Sequence, residues 1–200
     1  MDKEKNGFMD KEKNLFASLP KITNKHKKEI IVQKLRNDNK KFCFTGETRN
    51  MNGRTLYRIK AISTFANVKE GDLGGFIENE SNLDFKKDST AWVGNDAMVF
   101  ENAKICDNST ICGNALVFGN AIISGNALVD GDATVCENAM ISNNVRISSC
   151  TWIGGYVEVN DNAVISSNII IRGHVKISGN TKISGSLTVI SGQAQICNKA

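Results

Sequence analysis

The most regular feature of the chain is a β-branched residue at every sixth position over its second half. Two residues before each of these positions stands a small or modest side chain, most often Ala, and three residues before most of them stands Asn or Asp. A β-branched residue suits the interior of a pleated strand, whereas Asn, Asp and Gly tolerate the positive φ of a tight bend. The pattern therefore predicts short strands joined by bends. The β-branched positions are Val93, Val99, Ile105, Ile111, Val117, Ile123, Val129, Val135, Ile141, Ile147, Ile153, Val159, Ile165, Ile171, Ile177, Ile183 and Val189.

This repeat also predicts how the strands stack. If six residues turn the chain by about a third of a circuit, residues eighteen apart lie in neighbouring coils about 4.8 Å apart, as in any β-sheet. One interior column should then consist of Val99, Val117, Val135, Ile153, Ile171 and Val189. The fold class that follows is all-β, a parallel β-helix solenoid.

The repeat over residues 91–189 resembles the hexapeptide-repeat proteins, which are left-handed parallel β-helices and include many bacterial acyltransferases. The left-handed sense is what this resemblance implies, since the spacing alone does not specify it. Residues 56–83, LYRIKAISTFANVKEGDLGGFIENESNL, with the following STAWV and GNA-type repeats, are similar to a group of uncharacterised bacterial and phage proteins assigned as transferases. That second resemblance implies a phage-type protein of the host cytoplasm and brings no established reaction.

The segment before the repeats predicts a β-hairpin. Residues 42–61 contain Asn52-Gly53 between alternating segments, and both residues tolerate the positive φ of a type I′ turn. The glycines of KEGDLGGF lack the spacing of a phosphate-binding loop, so they are interpreted as a tight turn that leads into the solenoid. We expect three parts: a charged tail at 1–41, the hairpin and an irregular N-terminal cap at 42–90, and the β-helix at 91–200.

The tail carries the positive charge of the chain. Residues 1–41 hold twelve Lys and Arg against six Asp and Glu, which leaves thirteen against fifteen in the rest of the chain. Its first sixteen residues are an imperfect duplication, MDKEKNGF and MDKEKNLF, which predicts disorder. The segment from Ile22 to Arg36 suits either a short helix or a strand. Nucleic-acid binding by this tail is the less favoured interpretation, because no aromatic residues interleave with the lysines.

Cysteine usage and hydropathy exclude several classes of protein. The six cysteines lie far apart with no C-x-x-C pair, which argues against a structural zinc site, and we expect no metal and no cofactor. No run of eighteen apolar residues predicts a membrane span, and no secretory signal is present. We therefore expect a cytoplasmic protein with reduced thiols.

Catalytic candidates are few. In hexapeptide acyltransferases, as the resemblance implies, the sites lie between the subunits of a trimer, a histidine acts as general base and a long loop closes the site. Here His26 lies in the tail, His174 occupies a turn position that other repeats fill with Asn, and no insertion interrupts residues 93–189. The carboxylates of the repeats fall on separate corners and faces: Glu101, Asp107, Asp130, Glu137, Glu158 and Asp161. We expect no catalysis, with a trimeric acyltransferase that uses acetyl-CoA or another acyl donor as the alternative and His174 as its weak catalytic candidate.

The outward positions of the three predicted faces differ. Face 1, which surrounds the Val99 column, is largely apolar, whereas face 2 around Ile105 and face 3 around Ile111 are mixed. Aromatic residues and Met are enriched in interface cores, so face 1 predicts contact with a protein partner or with further copies in a homotrimer. The apolar stripe that we expect to form this interface consists of Met98, Phe100, Leu116, Phe118, Trp152 and Ile170. The alternative is that the hairpin, or residues 22–36, folds back over it.

These observations together predict a non-catalytic binding platform, one form of which is a phage-encoded inhibitor of a host protein. The far end of the solenoid is a second candidate for association. Ile196 follows Val189 by seven residues and so breaks the six-residue register, and no helix or polar cap is readable after it. Solenoids need covered ends, because the last coil otherwise exposes core residues and unpaired strand edges.

Overall fold

The computed structural model describes residues 40–86 and 88–198, which form an all-β parallel solenoid of about seven turns. The predicted fold class is thereby confirmed for these residues. The expectations of a disordered tail, of a helix or strand at 22–36 and of nucleic-acid binding by the tail fall on residues 1–39, outside the described part of the chain, apart from its last two lysines.

The strands before the repeats are longer than those within them. The first elements are β1 (Phe42–Met51), β2 (Arg54–Ala61), β3 (Leu73–Ile77) and a 3-10 helix (Glu80–Asn82). Twelve two-residue strands follow: β4 (Trp92–Val93), β5 (Met98–Val99), β6 (Lys104–Ile105), β7 (Thr110–Ile111), β8 (Leu116–Val117), β9 (Ile122–Ile123), β10 (Leu128–Val129), β11 (Thr134–Val135), β12 (Met140–Ile141), β13 (Arg146–Ile147), β14 (Trp152–Ile153) and β15 (Glu158–Val159). Four longer strands complete the solenoid: β16 (Val164–Ile171), β17 (His174–Gly179), β18 (Lys182–Ile190) and β19 (Gln193–Asn198).

Strands eighteen residues apart pair in parallel and build three flat faces. Face 1 contains β3, β5, β8, β11, β14 and the second halves of β16 and β18. Face 2 contains β6, β9, β12, β15, β17 and β19, and face 3 contains β4, β7, β10, β13 and the first halves of β16 and β18. The predicted interior column is confirmed from Val99 to Ile171, with each member paired to the next.

The core is a narrow column that runs along the solenoid axis. The β-branched residues of the repeats are fully buried from Val93 to Ile177, and so are the small residues two positions before them, such as Ala97 and Ala115. Alanine fills this position in most of the early coils, whereas later coils hold the larger Val145, Val157, Ile169 and Val175 there, all fully buried. Where the position holds Ser109 or Thr151, the hydroxyl donates a hydrogen bond to a neighbouring carbonyl, so the polar atom is satisfied.

The structure corrects the register that was predicted for residues 183–190. Strands β16 and β18 pair with an offset of eighteen at Ile165 and Ile183 but of nineteen at Ile171 and Ile190, so β18 contains one extra residue. The bulge contains Leu187, whose φ is 52°. Val189, predicted to lie in the core, therefore faces outward and is 53% exposed, and Ile190 takes the interior position. The six-residue count missed the bulge because Val189 is itself β-branched.

The first coil also begins earlier than predicted. Residues interpreted as irregular form β3, which places Ile77 on Val99 and Leu83 on Ile105. Gly74 and Gly75 lie within this strand rather than in a turn. They are glycines because of close packing: a Cβ on Gly74 would lie 2.5 Å from a side-chain carbon of Ile59. The glycine-rich segment is thus explained by strand packing.

The predicted hairpin is confirmed. Strands β1 and β2 are antiparallel, Met51 pairs with Arg54, and the intervening Asn52 and Gly53 have φ values of 53° and 81°. Two positive φ values at the centre of a two-residue loop are the signature of a type I′ turn. Because β2 also pairs with β3, the hairpin extends the sheet of face 1 at its N-terminal end.

A buried lysine helps to close the N-terminal end of the solenoid. Lys41 is 5% exposed, and its Nζ donates to the carbonyl oxygen of Ser89 at 3.0 Å and lies 3.3 Å from the Ser89 hydroxyl. The ammonium also lies 5.0 Å from the centre of the Phe65 ring, which favours the cation. Burial lowers the pKa of Lys41 to about 8, and Asp84 opposes this shift.

Folding stability should therefore depend on pH through Lys41. Between pH 8 and the unfolded pKa of about 10.4, the unfolded chain binds more protons at this site than the folded chain, so stability rises with pH. We predict that raising the pH from 7 to 10 shifts the unfolding free energy of the wild type upward relative to Lys41→Met, as measured by urea unfolding. Lys60→Met, at an exposed lysine of β2, is the matched control and should show no such trend. A pH-independent difference for Lys41→Met contradicts the prediction.

Candidate functional site

The coils bring the predicted apolar stripe onto one side of face 1. Side chains alternate between the two sides of a strand, so the residues that flank each interior Val or Ile point outward. Pairing sets Met98 beside Leu116, and Trp152 beside Ile170, with Thr134 between the two pairs. Phe100 and Phe118 directly follow the interior residues Val99 and Val117. All six predicted residues are thus aligned along the same face.

The N-terminal hairpin covers one end of this stripe. Phe100 is only 3% exposed, because it packs in a buried cluster with Leu56 of β2 and Phe76 of β3. Met98, Phe118 and Met51 pack around the same cluster. The alternative that the hairpin folds back over face 1 therefore holds for the first two coils of that face. Local sequence pattern could not locate this contact, because Phe76 and Leu56 lie 24 and 44 positions before Phe100.

Two arginines hold the hairpin over the stripe. The guanidinium carbons of Arg49 and Arg58 lie 4.3 and 4.4 Å from the centre of the Phe76 ring. Both side chains also reach Asp96 Oδ1, at 2.6 and 3.3 Å. Arg58 Nε lies 2.8 Å from a carboxylate oxygen of Glu47 as well. Of these charged groups only Arg58 is mostly buried, and Arg49 and Arg58 share Asp96 as the partner that joins the hairpin to the first coil.

A further ion pair, which sequence analysis missed, joins the hairpin to the first coils. Arg54 Nη1 lies 2.9 Å from Glu78 Oε1, and Arg54 Nη2 lies 3.4 Å from Glu101 Oε1. Glu78 Oε2 accepts a hydrogen bond of 2.7 Å from the backbone N–H of Glu101. That hydrogen bond, together with Arg54, lowers the pKa of Glu78. No repeat or motif contains Arg54 and Glu78, so sequence offered no signal for this site.

Four residues of the stripe keep part of their surface exposed. We call Leu116, Phe118, Trp152 and Ile170 the open stripe, and each of them is partly buried. Phe118 stacks on Phe100 with ring centres 5.0 Å apart and planes within 7°. The indole of Trp152 lies over Gly154, in space that any side chain there would fill. The two aromatic side chains of the open stripe are consequently held in place by contacts within face 1, Phe118 on Phe100 and Trp152 over Gly154.

Cys136 fills the gap between the aromatic residues of the open stripe. It is 2% exposed. Burial raises the pKa of Cys136 to about 12, and the nearby Glu137 and Glu101 raise it further. The thiol is therefore protonated at neutral pH and behaves as a small apolar side chain rather than as a nucleophile.

The candidate acid–base carboxylates are engaged at the corners of the coils. The side chain of Glu101 accepts a hydrogen bond of 2.8 Å from the backbone N–H of Gly119, eighteen residues later. Asp107, Glu137 and Asp161 make the same contact with the glycine eighteen residues after each of them. An acid followed by Gly at this spacing is a sequence signal that could have predicted the contact. Of the others, Glu158 pairs with Lys176 at 2.9 Å across one coil.

His174 lies at a corner that asparagines occupy in earlier coils. There, Asn102 donates to Asn120 and Asn120 donates to Asn138, each at 3.0 Å, which forms a ladder along the corner. In the next two coils Tyr156 and His174 replace the asparagines, and their exposed rings stack with centres 4.9 Å apart and planes within 3°. Stacking between coils accounts for a histidine at this position.

A polar groove of about 570 Å³ follows the corner between faces 2 and 3. Its asparagine side chains donate hydrogen bonds to one another from coil to coil, for example Asn126 to Asn144 at 2.9 Å and Asn144 to Asn162 at 3.0 Å. Their amide groups are thus largely satisfied within the protein. Among residues 40–86 and 88–198, no group of three or more His, Cys, Asp or Glu side chains is placed to hold a metal ion.

No protein-family model matches the chain, and a comparison with curated proteins gives no match. The functional argument consequently depends on the geometry of the site itself. Within the described residues, the structure contains no helix with the length and apolar character needed to span a membrane.

The structural role of the corner carboxylates can be tested at Glu137. Its side chain satisfies the backbone N–H of Gly155, so Glu137→Ala leaves that N–H without its partner, and we expect a loss of about 1–2 kcal/mol in unfolding free energy. Glu137→Gln keeps an acceptor oxygen and should lose less than Glu137→Ala. Glu158→Ala, which removes an exposed ion pair, is the control and should change stability by less than about 0.5 kcal/mol. Equal losses for the two alanine variants in urea unfolding would contradict this role.

Proposed function

We propose that this chain is a non-catalytic binding platform that engages a protein partner through the open stripe. The observation that carries the proposal is the set of partly exposed side chains Phe118, Trp152 and Ile170 on face 1. Phe118 borders the cluster that Leu56 of the hairpin joins, and Trp152 and Ile170 lie outside that cluster. Aromatic side chains of this kind dominate the buried centres of protein interfaces.

The geometry of the solenoid supports this surface as a docking site. Coils spaced about 4.8 Å apart hold the outward side chains in fixed rows, so little conformational entropy is lost when a partner binds. Trp152 is already held over Gly154. The exposed Arg172 directly follows Ile171, the interior residue that comes after Ile170. A tryptophan and an arginine beside an apolar row are residue types that contribute most to binding energy.

The positions of the charged residues support a role without catalysis. Four of the six carboxylates considered as acids or bases accept backbone hydrogen bonds at the corners, and Glu158 is paired with a lysine. General acid–base chemistry requires groups that converge on a substrate. Groups committed to holding one coil to the next are poorly suited to that task.

One concrete form of the proposal is a phage-encoded inhibitor that docks the open stripe on a host protein. Its support is the resemblance of residues 56–83 to bacterial and phage proteins. The identity of the repeats as hexapeptide repeats belongs to this proposal too and is supported by the eighteen-residue spacing of paired strands. The left-handed sense of the coil is supported by the resemblance alone. A trimeric acyltransferase stays a prediction from the resemblance alone. Acetyl transfer from acetyl-CoA to an amine or amino-sugar, abolished by His174→Ala, would overturn a non-catalytic role.

The open stripe predicts where substitutions will disrupt partner binding. A protein captured by the tagged full chain is purified and titrated against the wild type and single variants by calorimetry. We expect Trp152→Asp and Phe118→Asp each to weaken binding by at least about thirtyfold, because a carboxylate would be buried in an apolar contact. Met140→Asp is the matched control, since Met140 is an apolar residue of face 2 that is 51% exposed.

Folding of each variant is checked by urea unfolding, and Ile170→Lys provides an additional substitution in the open stripe. If the captured protein binds all three stripe variants as tightly as the wild type, the open stripe is not its docking site. If Met140→Asp weakens binding as much as Trp152→Asp does, the contact is not confined to face 1.

A further inference from the structure

Charge is unevenly distributed along the solenoid axis. Residues 94–161 contain eight Asp and Glu against two Lys and Arg, whereas residues 162–198 contain three Lys and Arg and no Asp or Glu. Strand pairing places these three bases on different faces, with Arg172 on face 1, Lys176 on face 2 and Lys182 on face 3. Face 1 therefore combines apolar outward residues with a positive charge in its later coils.

Arg172 differs from the arginines of the hairpin in its surroundings. Arg49, Arg54 and Arg58 each pair with a carboxylate. Arg172 is exposed, and among the described residues no carboxylate pairs with it. A guanidinium binds carboxylates and also stacks on aromatic rings. Arg172 is therefore suited to a partner surface that offers an acid beside an aromatic ring.

The earlier coils of face 1 offer both of these groups side by side. Phe118 is partly exposed, and the next residue, Gly119, donates its backbone N–H to Glu101 Oε2 at 2.8 Å. The ring of Phe118 and the carboxylate of Glu101 therefore border the same part of the surface. Arg172 lies three coils away from Phe118 in the same chain, so only the arginine of another copy can reach this part of the surface.

The outward side chains of face 1 form two rows, one on each side of the interior column. The row before the column consists of Leu116, Thr134, Trp152 and Ile170, and the row after it consists of Phe118, Cys136, Gly154 and Arg172. When the first row is reversed against itself, the large Trp152 comes opposite the small Thr134. When the second row is reversed in the same way, Arg172 comes opposite Phe118. Face 1 is thus complementary to its own reversed copy.

Charge decides between the two ways in which a two-fold axis can join two copies through face 1. If the axis is parallel to the solenoid, each coil faces the same coil of the other copy. Arg172 then approaches the other Arg172, and the exposed corner acids Asp132 and Glu137 approach their counterparts, which is unfavourable. If the axis is parallel to the strands, the solenoids run in opposite directions and each row faces itself reversed. This second arrangement brings the arginine to the acidic coils.

We propose that a second copy of this chain occupies the open stripe, with the two solenoids side by side on face 1 and running in opposite directions. Trp152 of each copy packs on Thr134 of the other, and Arg172 of each lies against Phe118 and beside Glu101 of the other. The inference rests on the proposed function, because it names the partner of the same surface. A contact over four coils about 4.8 Å apart is smaller than a standard interface of about 800 Å² per partner. We therefore expect a weak dimer.

The first test is the molar mass of the full chain, measured by analytical sedimentation from about 1 μM to about 1 mM. We expect a mass that approaches twice 21.8 kDa as the concentration rises. Trp152→Asp should abolish the dimer. Arg172→Glu should raise its dissociation constant by at least about tenfold, because the two-fold axis repeats the Arg172 contact. The matched control is Lys182→Glu, which makes the same charge change at an exposed residue of face 3 and should leave the dissociation constant unchanged.

The second test measures the orientation of the two copies by photo-cross-linking. Isotope-labelled chain that carries benzoylphenylalanine in place of Ile170 is mixed with unlabelled wild type, so that mass spectrometry identifies the cross-links between copies. We expect position 170 to cross-link to residues 114–118 of the unlabelled chain. Cross-links to residues 168–172 of the unlabelled chain would instead mean that the solenoids run in the same direction, and they would overturn the proposal.

Other results also overturn the proposal. A monomer at every concentration excludes a second copy as the partner, and a trimer, or a dimer that withstands Trp152→Asp, excludes this arrangement. Equal weakening by Arg172→Glu and Lys182→Glu excludes the Arg172 contact. Should Arg172→Glu not fold, Arg172→Gln removes the charge at the same exposed site and is measured in its place.

The proposed function is judged by a separate result. If the chain is a monomer and Trp152→Asp still weakens the captured protein, the dimer is wrong and the proposed function stands. If the captured protein binds Trp152→Asp as tightly as the wild type, its docking on the open stripe is wrong, whereas the molar mass of the chain alone still decides the dimer.

Discussion

The close approach of successive coils at their corners is the constraint on which the rest of this structure depends. A Cβ on Gly119 would lie 2.7 Å from the backbone nitrogen of Glu137 in the next coil, so the main chains are nearly in contact there. That approach holds each coil at the strand spacing, which in turn aligns the β-branched residues into one interior column. Where the corner residue is an acid, its side chain reaches the following glycine and satisfies a backbone N–H. Packing, main-chain hydrogen bonding and corner chemistry all repeat with the same eighteen-residue period.

A scaffold fixed in this way leaves its outward positions free to carry function. On face 1 the outward positions of different coils hold Phe118, Trp152 and Ile170, and the hairpin packs against the first coils of that face. The proposed protein contact thus uses outward positions that the interior packing of the coils does not require.

Sequence alone was sufficient where local pattern determines structure. The Val and Ile repeat predicted the coils, the small residues predicted the crowded corners, and Asn52-Gly53 predicted the hairpin. Sequence was insufficient where contacts between distant segments determine the structure. Phe100 looked like part of an exposed stripe, but Leu56 and Phe76 bury it. Val189 matched the repeat by residue type, although the bulge at Leu187 turns it outward. Gly74 and Gly75 suggested a turn, because the packing of Ile59 and Val93 against them is not visible in their own segment.

The account's central claim, that corner contact between coils holds the solenoid together, is tested most directly by comparing Gly119→Ala with Gly53→Ala in urea unfolding. The two glycines have φ values of 73° and 81°, so alanine meets similar backbone strain at each. Only at Gly119 would the added Cβ push against the next coil, since nothing lies within 4 Å at Gly53. We predict that Gly119→Ala loses more unfolding free energy than Gly53→Ala, by about 1–3 kcal/mol. Equal losses would contradict the account.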